Sequence, residues 1–288
     1  MYNNIRNEIL KETGKETLIT DREIDIIRKE VGRKEVKRLS WLSERNERDK
    51  IFKELGGFYF QNYENVLKLN IAKQYLFRFI YLCTYMSYDK KIYFGNAIGE
   101  KSLALEKDLK EIFRLSKSET INTKNTLIEN GLIIINKDKT ININSKYAIK
   151  GEIEKRELKI SVKVMEKGIR EVYRKSKATE HKKLALLIEL LPYVNFRHNV
   201  ICSNPEESDV EKINPFNLTE VMRITEYKNL TRFKRDLLNL TVNEELAVKI
   251  TETKYGKFVY VNPRIFYKGN NADDLKFCMN EFKIKKNN

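Results

Sequence analysis

Hydrophobic residues recur at helical spacing through most of this chain and alternate with polar residues only in short runs. Residues 1–50 carry apolar side chains three or four positions apart among many charges, which predicts two or three amphipathic helices with a mostly solvated face. From residue 51 onwards short alternating runs interrupt the helical spacing, which predicts an α+β protein that is mainly helical. The pattern therefore separates an N-terminal helical extension, 1–50, from a longer mixed region.

The first part of the mixed region predicts two helices joined by a turn and followed by a β hairpin. One helix is expected around the apolar residues at 105–113 and the next over 119–130, with Ser118 as its N-cap. Gly131 stands where it would end the second helix, and the alternating run 133–143 predicts a hairpin with a charged tip. This is the element order of a winged helix, a helix-turn-helix with a β wing.

Residues 152–288 repeat the same order of elements. Helices are expected at 217–225 and 228–240 with a tight turn between them, and the runs 246–250 and 258–261 predict a second hairpin. The chain is therefore expected to hold two tandem winged-helix domains behind the N-terminal extension.

A short motif supports a duplication of these two domains. The segment INI-NSKYAIKG at 141–151 aligns without a gap with VYV-NPRIFYKG at 259–269, and both share an Asn and a closing Lys-Gly. Pro263 is one of only 4 prolines, and because proline lacks a backbone donor we expect it to end the last strand of the second hairpin. These features place the two domains at 51–151 and 152–288.

The net charge points to a partner. The chain carries 56 Lys and Arg against 41 Asp and Glu, a formal charge of +15. An excess of this size indicates a polyanionic partner, most simply double-stranded DNA, and an anionic membrane surface is the next option. The most apolar stretch, 76–86, contains Arg78 and is too short to span a bilayer. We therefore expect a cytoplasmic protein that associates with the nucleoid or a plasmid and not with a membrane.

The sequence carries no recognisable catalytic or metal-binding motif. His181 and His198 are the only two histidines and lie too far apart for an obvious metal pair. Cys83, Cys202 and Cys278 form no CxxC motif, which predicts reduced thiols in buried or half-buried positions. We therefore expect a protein without enzyme activity, metal or cofactor.

The second helix of each predicted pair is the candidate DNA-reading element, because in this fold it enters the major groove. Apolar residues at helical spacing should face the core and leave the polar residues of the same helix towards solvent or DNA. The alternative is that this polar face is only solvated, as on any amphipathic helix. The expected core positions are Ile121, Leu127 and Ile128 in the first copy and Leu230, Phe233, Leu237 and Leu238 in the second.

Two kinds of contact are expected from the polar residues. Asn can pair with adenine and Thr methyl groups can meet thymine methyl groups, whereas lysines at the hairpin tips would lie along phosphates and make the affinity salt-dependent. A charged hairpin tip can equally be a solvated turn. The candidate DNA-binding residues are Lys117, Thr120, Asn122, Thr123, Lys124, Lys137 and Lys139 in the first copy and Lys228, Asn229, Thr231, Arg232, Arg235, Lys254, Tyr255 and Lys257 in the second.

The C-terminal part of the chain resembles a known family. The run from about Leu218 through GKFVYVNPRIFYKGNNADDLKFCMNEF has a wing strand ending in Asn262-Pro263, Gly269 six residues after that proline, and a helix closing with Glu281-Phe282. These features are similar to the winged-helix region of the RepL family of Firmicute plasmid replication proteins, over roughly 65 residues. RepL proteins are shorter and have a single such domain. Tandem winged helices are typical of iteron-plasmid initiators, which this chain resembles in architecture.

Both resemblances imply DNA binding and replication initiation. A plasmid or phage initiator would bind repeats at an origin and recruit host replication proteins. A transcriptional repressor or partition regulator of a mobile element would use the same surface, and a scaffold with protein partners is a third class. Two reading helices on one chain could cover adjacent segments of the major groove as a monomer. The N-terminal residues, 1–50, could form an arm, a clamp on the DNA backbone or a homodimer contact.

Overall fold

The described part of the N-terminal extension forms one long helix, and residues 1–20 lie outside the described residues. Helix α1, Asp21–Glu54, is continuous over 34 residues, so the prediction of two or three separate helices is wrong for this part of the chain. No proline occurs in it, and the single glycine, Gly32, does not interrupt it. The boundary between two compact units, Met1–Asp49 and Lys50–Asn288, falls within this helix. The computed structural model describes residues 21–95, 102–225, 227–253 and 256–283.

The first half of the second unit contains the expected pair of helices and the hairpin after them. Its elements are β1 Phe58–Asn62, α2 Tyr63–Leu67, α3 Lys73–Cys83, β2 Tyr93–Phe94, β3 Ser102–Leu103, α4 Leu109–Phe113, α5 Lys117–Glu129, β4 Ile133–Ile135, β5 Ile141–Ile143 and β6 Ala148–Ile149. Gly131 follows α5 in the left-handed conformation, and the Leu132 amide donates to the Leu127 carbonyl at 2.9 Å. The predicted glycine ending of this helix is confirmed.

The second half repeats the order with longer hairpin strands. Its elements are α6 Lys155–Leu158, β7 Ser161–Met165, α7 Glu166–Lys175, α8 His181–Leu184, α9 Leu186–Glu189, α10 Leu218–Ile224, α11 Leu230–Leu238, β8 Thr241–Val242, β9 Glu245–Leu246, β10 Val248–Thr253, β11 Gly256–Val261, β12 Phe266–Tyr267 and α12 Ala272–Lys283. The chain is therefore a mixed α+β protein with small antiparallel sheets.

One antiparallel sheet joins the two halves. Its strand order is β6-β1-β7-β12. The central strands, β1 and β7, lie near the start of each half in sequence, and the edge strands, β6 and β12, lie near the end of each half. Phe60 of β1 lies opposite Lys163 of β7. Ala148 and Phe266 align in the duplicated motif, and they form the equivalent edge pairings with β1 and β7. The strand pairing is therefore close to two-fold symmetric about the Phe60–Lys163 pair, and the sheet contains strands from both sides of the predicted boundary at 151/152.

The duplicated Asn forms the same turn in both copies. The Oδ1 atom of Asn144 accepts a hydrogen bond from the Lys146 amide at 3.0 Å, and that of Asn262 accepts one from the Arg264 amide at 2.9 Å. Each Asn also donates from Nδ2 to a backbone carbonyl two residues before the first strand of its hairpin. The turn directs the chain from the hairpin into the edge strand of the shared sheet. Strand β11 ends just before Pro263, which confirms the predicted strand end.

The lysine of the Lys-Gly ending reaches into the opposite half. Lys150 pairs with Glu166, the first residue of α7, and the ammonium of Lys268 lies 4.8 Å from the ring centre of Tyr63, the first residue of α2. Both lysines thus contact the residue that directly follows a central strand of the other copy. Burial lowers the pKa of Lys268. The motif therefore holds the two halves together as well as ending each of them.

Gly168 in α7 provides a test of this arrangement. A methyl group added at Gly168 would lie 1.9 Å from the carbonyl oxygen of Arg264, inside the second turn of the duplicated motif. Because that oxygen belongs to the backbone, the turn itself would have to move. We expect Gly168→Ala to lower the free energy of unfolding by about 1–3 kcal/mol or more, measured by urea denaturation.

The matched control is Gly32→Ala in α1, where an added methyl group meets nothing within 4 Å. Alanine favours a helix over glycine by about 1 kcal/mol, so this variant should unfold at the same urea concentration or a higher one. A Gly168→Ala protein that is as stable as the wild type would contradict the close packing of α7 on the motif.

Candidate nucleic-acid interface

Helices α10 and α11 are fixed at their first turns by side-chain caps. Asn217 accepts a hydrogen bond from the Glu220 amide at 3.1 Å, and the Glu220 carboxylate accepts one from the Asn217 amide at 2.7 Å. Asn229 caps α11 by accepting a hydrogen bond from the Arg232 amide at 2.8 Å. Asn229 is exposed, but its side-chain oxygen already holds the helix start. The first residue of each helix is therefore fixed by its own cap, and a short connection joins the end of α10 to the start of α11.

The outer face of α11 is strongly basic. Phe233 and Leu237 are buried as predicted, whereas Leu230, expected in the core, is exposed. Leu230 is the first residue of the helix, where the chain has only begun to pack against the core. The exposed polar residues on and next to this helix are Lys228, Thr231, Arg232, Lys234 and Arg235.

A buried carboxylate organises this basic face. The Asp236 side chain is only 2% exposed, and its oxygens lie 3.8 Å from Arg232 Nε and 3.6 Å from Arg235 Nε. Lys183 of α8 adds a third cation at 3.5 Å. The sequence analysis missed Asp236, although its spacing of three residues from Phe233 places it on the apolar side of the helix. Both arginines thus lie at ion-pair distance from Asp236 while their side chains stay mostly exposed, and Asp236 Oδ1 has no hydrogen-bond partner among the described residues.

The hairpin β10–β11 extends beyond this helix. Lys257 is exposed at its end, but it faces Glu252 on the neighbouring strand, and the Lys257 ammonium lies 3.4 Å from that carboxylate. This pair partly neutralises the positive charge predicted for the hairpin. The other two predicted residues, Lys254 and Tyr255, lie outside the described residues.

Helix α5 of the first copy presents a different face from the predicted one. Thr120 and Thr123 were expected to face DNA, and both are buried. Ile121 and Ile128 were expected in the core, and they are 42% and 40% exposed. Only Leu127 of the expected core positions is fully buried. The predictions for these four residues are therefore wrong.

The cause is a buried arginine on α3. The Arg78 guanidinium donates to the Glu119 carboxylate at 2.8 Å and to Thr123 Oγ1 at 2.9 Å, and its Nε donates to His181 Nδ1 at 3.2 Å. A buried charge is tolerated only when it is paired and hydrogen-bonded, so polar residues of α5 turn inwards to satisfy it. Ile121 is left on the outside as a consequence.

The first turn of α5 still exposes polar residues. Ser116 is its N-cap, where Ser118 was predicted, because Ser116 Oγ accepts a hydrogen bond from the Glu119 amide at 3.2 Å. Lys117 and Asn122 are exposed on this helix. The surface of α5 is therefore less basic than that of α11 and combines single polar side chains with Ile121.

One carboxylate, Glu106, pairs with two of the four predicted lysines of the first copy. The Glu106 carboxylate lies 2.6 Å from the Lys124 ammonium and 3.6 Å from that of Lys139 at the tip of the first hairpin. The hydrogen bond from Lys124 lowers the pKa of Glu106. Lys137 is exposed at the same tip. Glu106 thus ties α5 to its hairpin and leaves Lys117 and Lys137 as the more available cations among the predicted residues.

The three cysteines and the candidate metal ligands are located in the described residues as follows. Cys83, Cys202 and Cys278 are buried and unpaired, which confirms the prediction for them. Burial raises the pKa of Cys202 to about 11 and that of Cys278 to about 12, so neither thiol ionises readily near neutral pH. Within 21–95, 102–225, 227–253 and 256–283 no group of three His, Cys, Asp or Glu could hold a metal ion, and no helix could cross a membrane.

The buried network around Arg78 makes stability depend on pH. Burial and the neighbouring Arg78 guanidinium lower the pKa of His181 from 6.5 to about 4. The folded protein therefore favours the neutral ring, and its stability is full above about pH 6.5 and falls as the pH drops from 6.5 towards 4. The loss from this residue is at most about 3 kcal/mol. We expect His181→Asn, which keeps an acceptor but cannot titrate, to show a smaller decrease in unfolding free energy over this range.

The second histidine, His198, provides a comparison, because burial lowers its pKa as well. Chemical denaturation at a series of pH values should give His181→Asn the flattest profile, and His198→Asn a profile between that of His181→Asn and that of the wild type. Equal slopes for His181→Asn and the wild type would show that His181 is not held neutral in the folded state.

Comparison with known proteins assigns no family to the chain. No protein-family model, no curated protein and no solved structure matches it. The resemblances to RepL and to iteron-plasmid initiators therefore stay predictions from the sequence, and a function has to be argued from the geometry of the two helix pairs.

Proposed function

We propose that this chain binds double-stranded DNA through two winged helices. The first would consist of α4, α5 and hairpin β4–β5, and the second of α10, α11 and hairpin β10–β11. The observation that carries the proposal is the exposed basic face of α11. This helix is the second of a pair, and a β hairpin follows the pair in the sequence. In winged-helix and related folds this helix lies in the major groove, with its N-terminal residues at the base edges.

The second copy would supply most of the affinity. Arg232 and Arg235 are exposed beside Asp236, and each could make two hydrogen bonds to guanine. Lys228 and Lys234 are exposed beside them and suit phosphate contacts. The net charge of +15 adds a general attraction to the DNA backbone.

The first copy would read DNA with fewer charges. Lys117, Asn122 and Lys137 remain as exposed polar candidates, and Thr120 and Thr123 are removed from the set because they are buried. Ile121 takes their place, since an exposed apolar side chain on this helix can contact a thymine methyl group. The two copies would therefore prefer different base sequences.

The biological role follows from the sequence resemblance. We favour a replication initiator of a plasmid or phage that binds origin repeats and recruits host replication proteins. A transcriptional repressor or partition regulator of a mobile element is the second candidate, since it would need the same surface. The position of the bound sequence separates the two, because an initiator protects repeats at an origin and a repressor protects a promoter.

Gel-shift titration and footprinting on the DNA that carries the gene provide the test. At about 0.15 M salt and with excess competitor DNA we expect a specific complex, because sequence-specific binding exceeds non-specific binding by a factor of about 10³ or more. Protection of repeats would support the initiator, and protection of a promoter would support the repressor. No specific shift under these conditions would exclude both roles.

Two substitutions separate base reading from phosphate binding. Arg232→Ala should cost about 1–3 kcal/mol on the specific sequence and relax the preference at one position. Lys257→Ala should weaken all sequences alike and reduce the salt slope by at most about one unit, since Glu252 already neutralises part of this charge.

The matched control is Lys155→Ala, an exposed lysine on α6 outside both helix pairs. It removes the same charge and should leave affinity and salt slope close to those of the wild type. If all three variants bound alike, the assignment of α11 and hairpin β10–β11 as the DNA-binding surface would be wrong.

A further inference from the structure

Helix α1 contains a long exposed segment. Every residue over 29–41 is exposed. The last turns of the helix differ, because Ile51 and Phe52 pack against a core cluster that contains Leu275 and Met279 of α12. Most of the stability of a helix in a protein comes from packing against other elements. The exposed segment would therefore be stabilised by a partner that lies along it.

A row of positive charges runs along this segment. Residues 29–38 contain five Lys or Arg and two Glu. Lys29, Arg33 and Lys37 are four positions apart, so they lie on the same side of the helix. Within the part of the chain that the structure describes, none of the three forms an ion pair. Like charges at this spacing repel each other and destabilise a helix, and a polyanion bound along the row would offset that repulsion.

The C-terminal part of α1 has balanced charges. Residues 44–54 contain four Lys or Arg and four Asp or Glu. The Asp49 carboxylate lies 3.8 Å from Arg45 Nε and 4.0 Å from Arg48 Nε. The excess positive charge of the helix is therefore concentrated in 29–38, and the two arginines near Asp49 provide a comparison on the same helix.

The exposed apolar residues of α1 do not form a single face. Ile26, Val31, Val36, Leu39 and Trp41 are exposed, and at 3.6 residues per turn they lie on all sides of the helix. A helix that lies in a bilayer interface needs one apolar face, and a coiled-coil helix needs apolar residues alternately three and four positions apart. These five residues meet neither requirement. Charge is therefore the feature of this segment that a partner would recognise.

We propose that residues 29–38 of α1 bind the phosphate backbone of double-stranded DNA. The choice of DNA as the polyanion rests on the proposed function, whereas the row of cations is a feature of α1 alone. Lys and Arg that bind phosphates give an affinity that is independent of base sequence and falls with salt. This contact would therefore strengthen binding to DNA of any sequence, and the sequence preference would come from α5 and α11.

Binding of the full chain to a duplex of mixed sequence, measured between about 50 and 200 mM salt, tests this contact. Arg33→Gln/Lys37→Gln should lower the slope of log affinity against log salt by about two units and weaken binding roughly tenfold at about 0.15 M salt. Glutamine has nearly the helix propensity of Lys and Arg, so the helix content should not change. The matched control, Arg45→Gln/Arg48→Gln, removes the same charge from the same helix. It should bind like the wild type, because both arginines already lie near Asp49.

Amide hydrogen exchange of the full chain shows where the DNA binds. Exchange over 29–38 should slow severalfold when the same duplex is added in excess, because bound phosphates would stabilise this part of α1 against local opening. The control variant should show the same slowing, and Arg33→Gln/Lys37→Gln should show less of it.

The outcomes separate this contact from the proposed function. A wild-type salt slope for Arg33→Gln/Lys37→Gln, or unchanged exchange over 29–38, would overturn the contact even where a specific complex forms. A lowered slope in this variant without any specific complex of the wild type would support the contact and refute the proposed function. Binding to phosphatidylserine vesicles that depends on Arg33 and Lys37, together with a wild-type slope on DNA, would assign the row to a membrane surface and overturn the proposal.

Discussion

The pairing of β1 with β7 is the constraint on which the rest of the second unit depends. Lys163 lies at its centre, almost fully buried, and its ammonium binds the Gly269 carbonyl and Asn270 Oδ1, the latter at 2.6 Å. The Phe60 ring lies 5.6 Å from the same ammonium. Because a buried charge is costly without acceptors, the pairing of the central strands is stable only together with the acceptors that Gly269 and Asn270 provide. Strand pairing and the duplicated motif are thus coupled.

Because the two halves share this sheet, both helix pairs belong to the same compact unit. Each half contributes one central and one edge strand, and the Arg78–His181 hydrogen bond joins α3 of the first half to α8 of the second. A chain built in this way does not need a second molecule to present the two helices proposed to read DNA. The two surfaces have diverged, since Asp236 supports a basic face on α11 whereas Glu106 neutralises Lys124 on α5. The proposed pair of unequal half-sites follows from this difference.

Local patterns in the sequence were sufficient for the two helix pairs, for the hairpins after them and for the end of the second hairpin at Pro263. They could not reveal the shared sheet, because its strand pairs join residues about a hundred positions apart. The face of α5 was mispredicted because the rule that polar residues face outwards fails beside Arg78, whose charge needs polar partners inside. Asp236 was within reach of sequence reasoning, since its spacing from Phe233 places a carboxylate among core positions.

A spacing experiment tests most directly whether one chain holds two DNA-reading helices at a fixed separation. Hydroxyl-radical footprinting of the specific complex should show two protected segments, and an insertion of about half a helical turn between them should place one on the wrong side of the duplex. We predict that such an insertion lowers the affinity at least tenfold, and that an insertion of about a full turn is less harmful than half a turn. A single protected segment, or equal affinity at every spacing, would contradict the account.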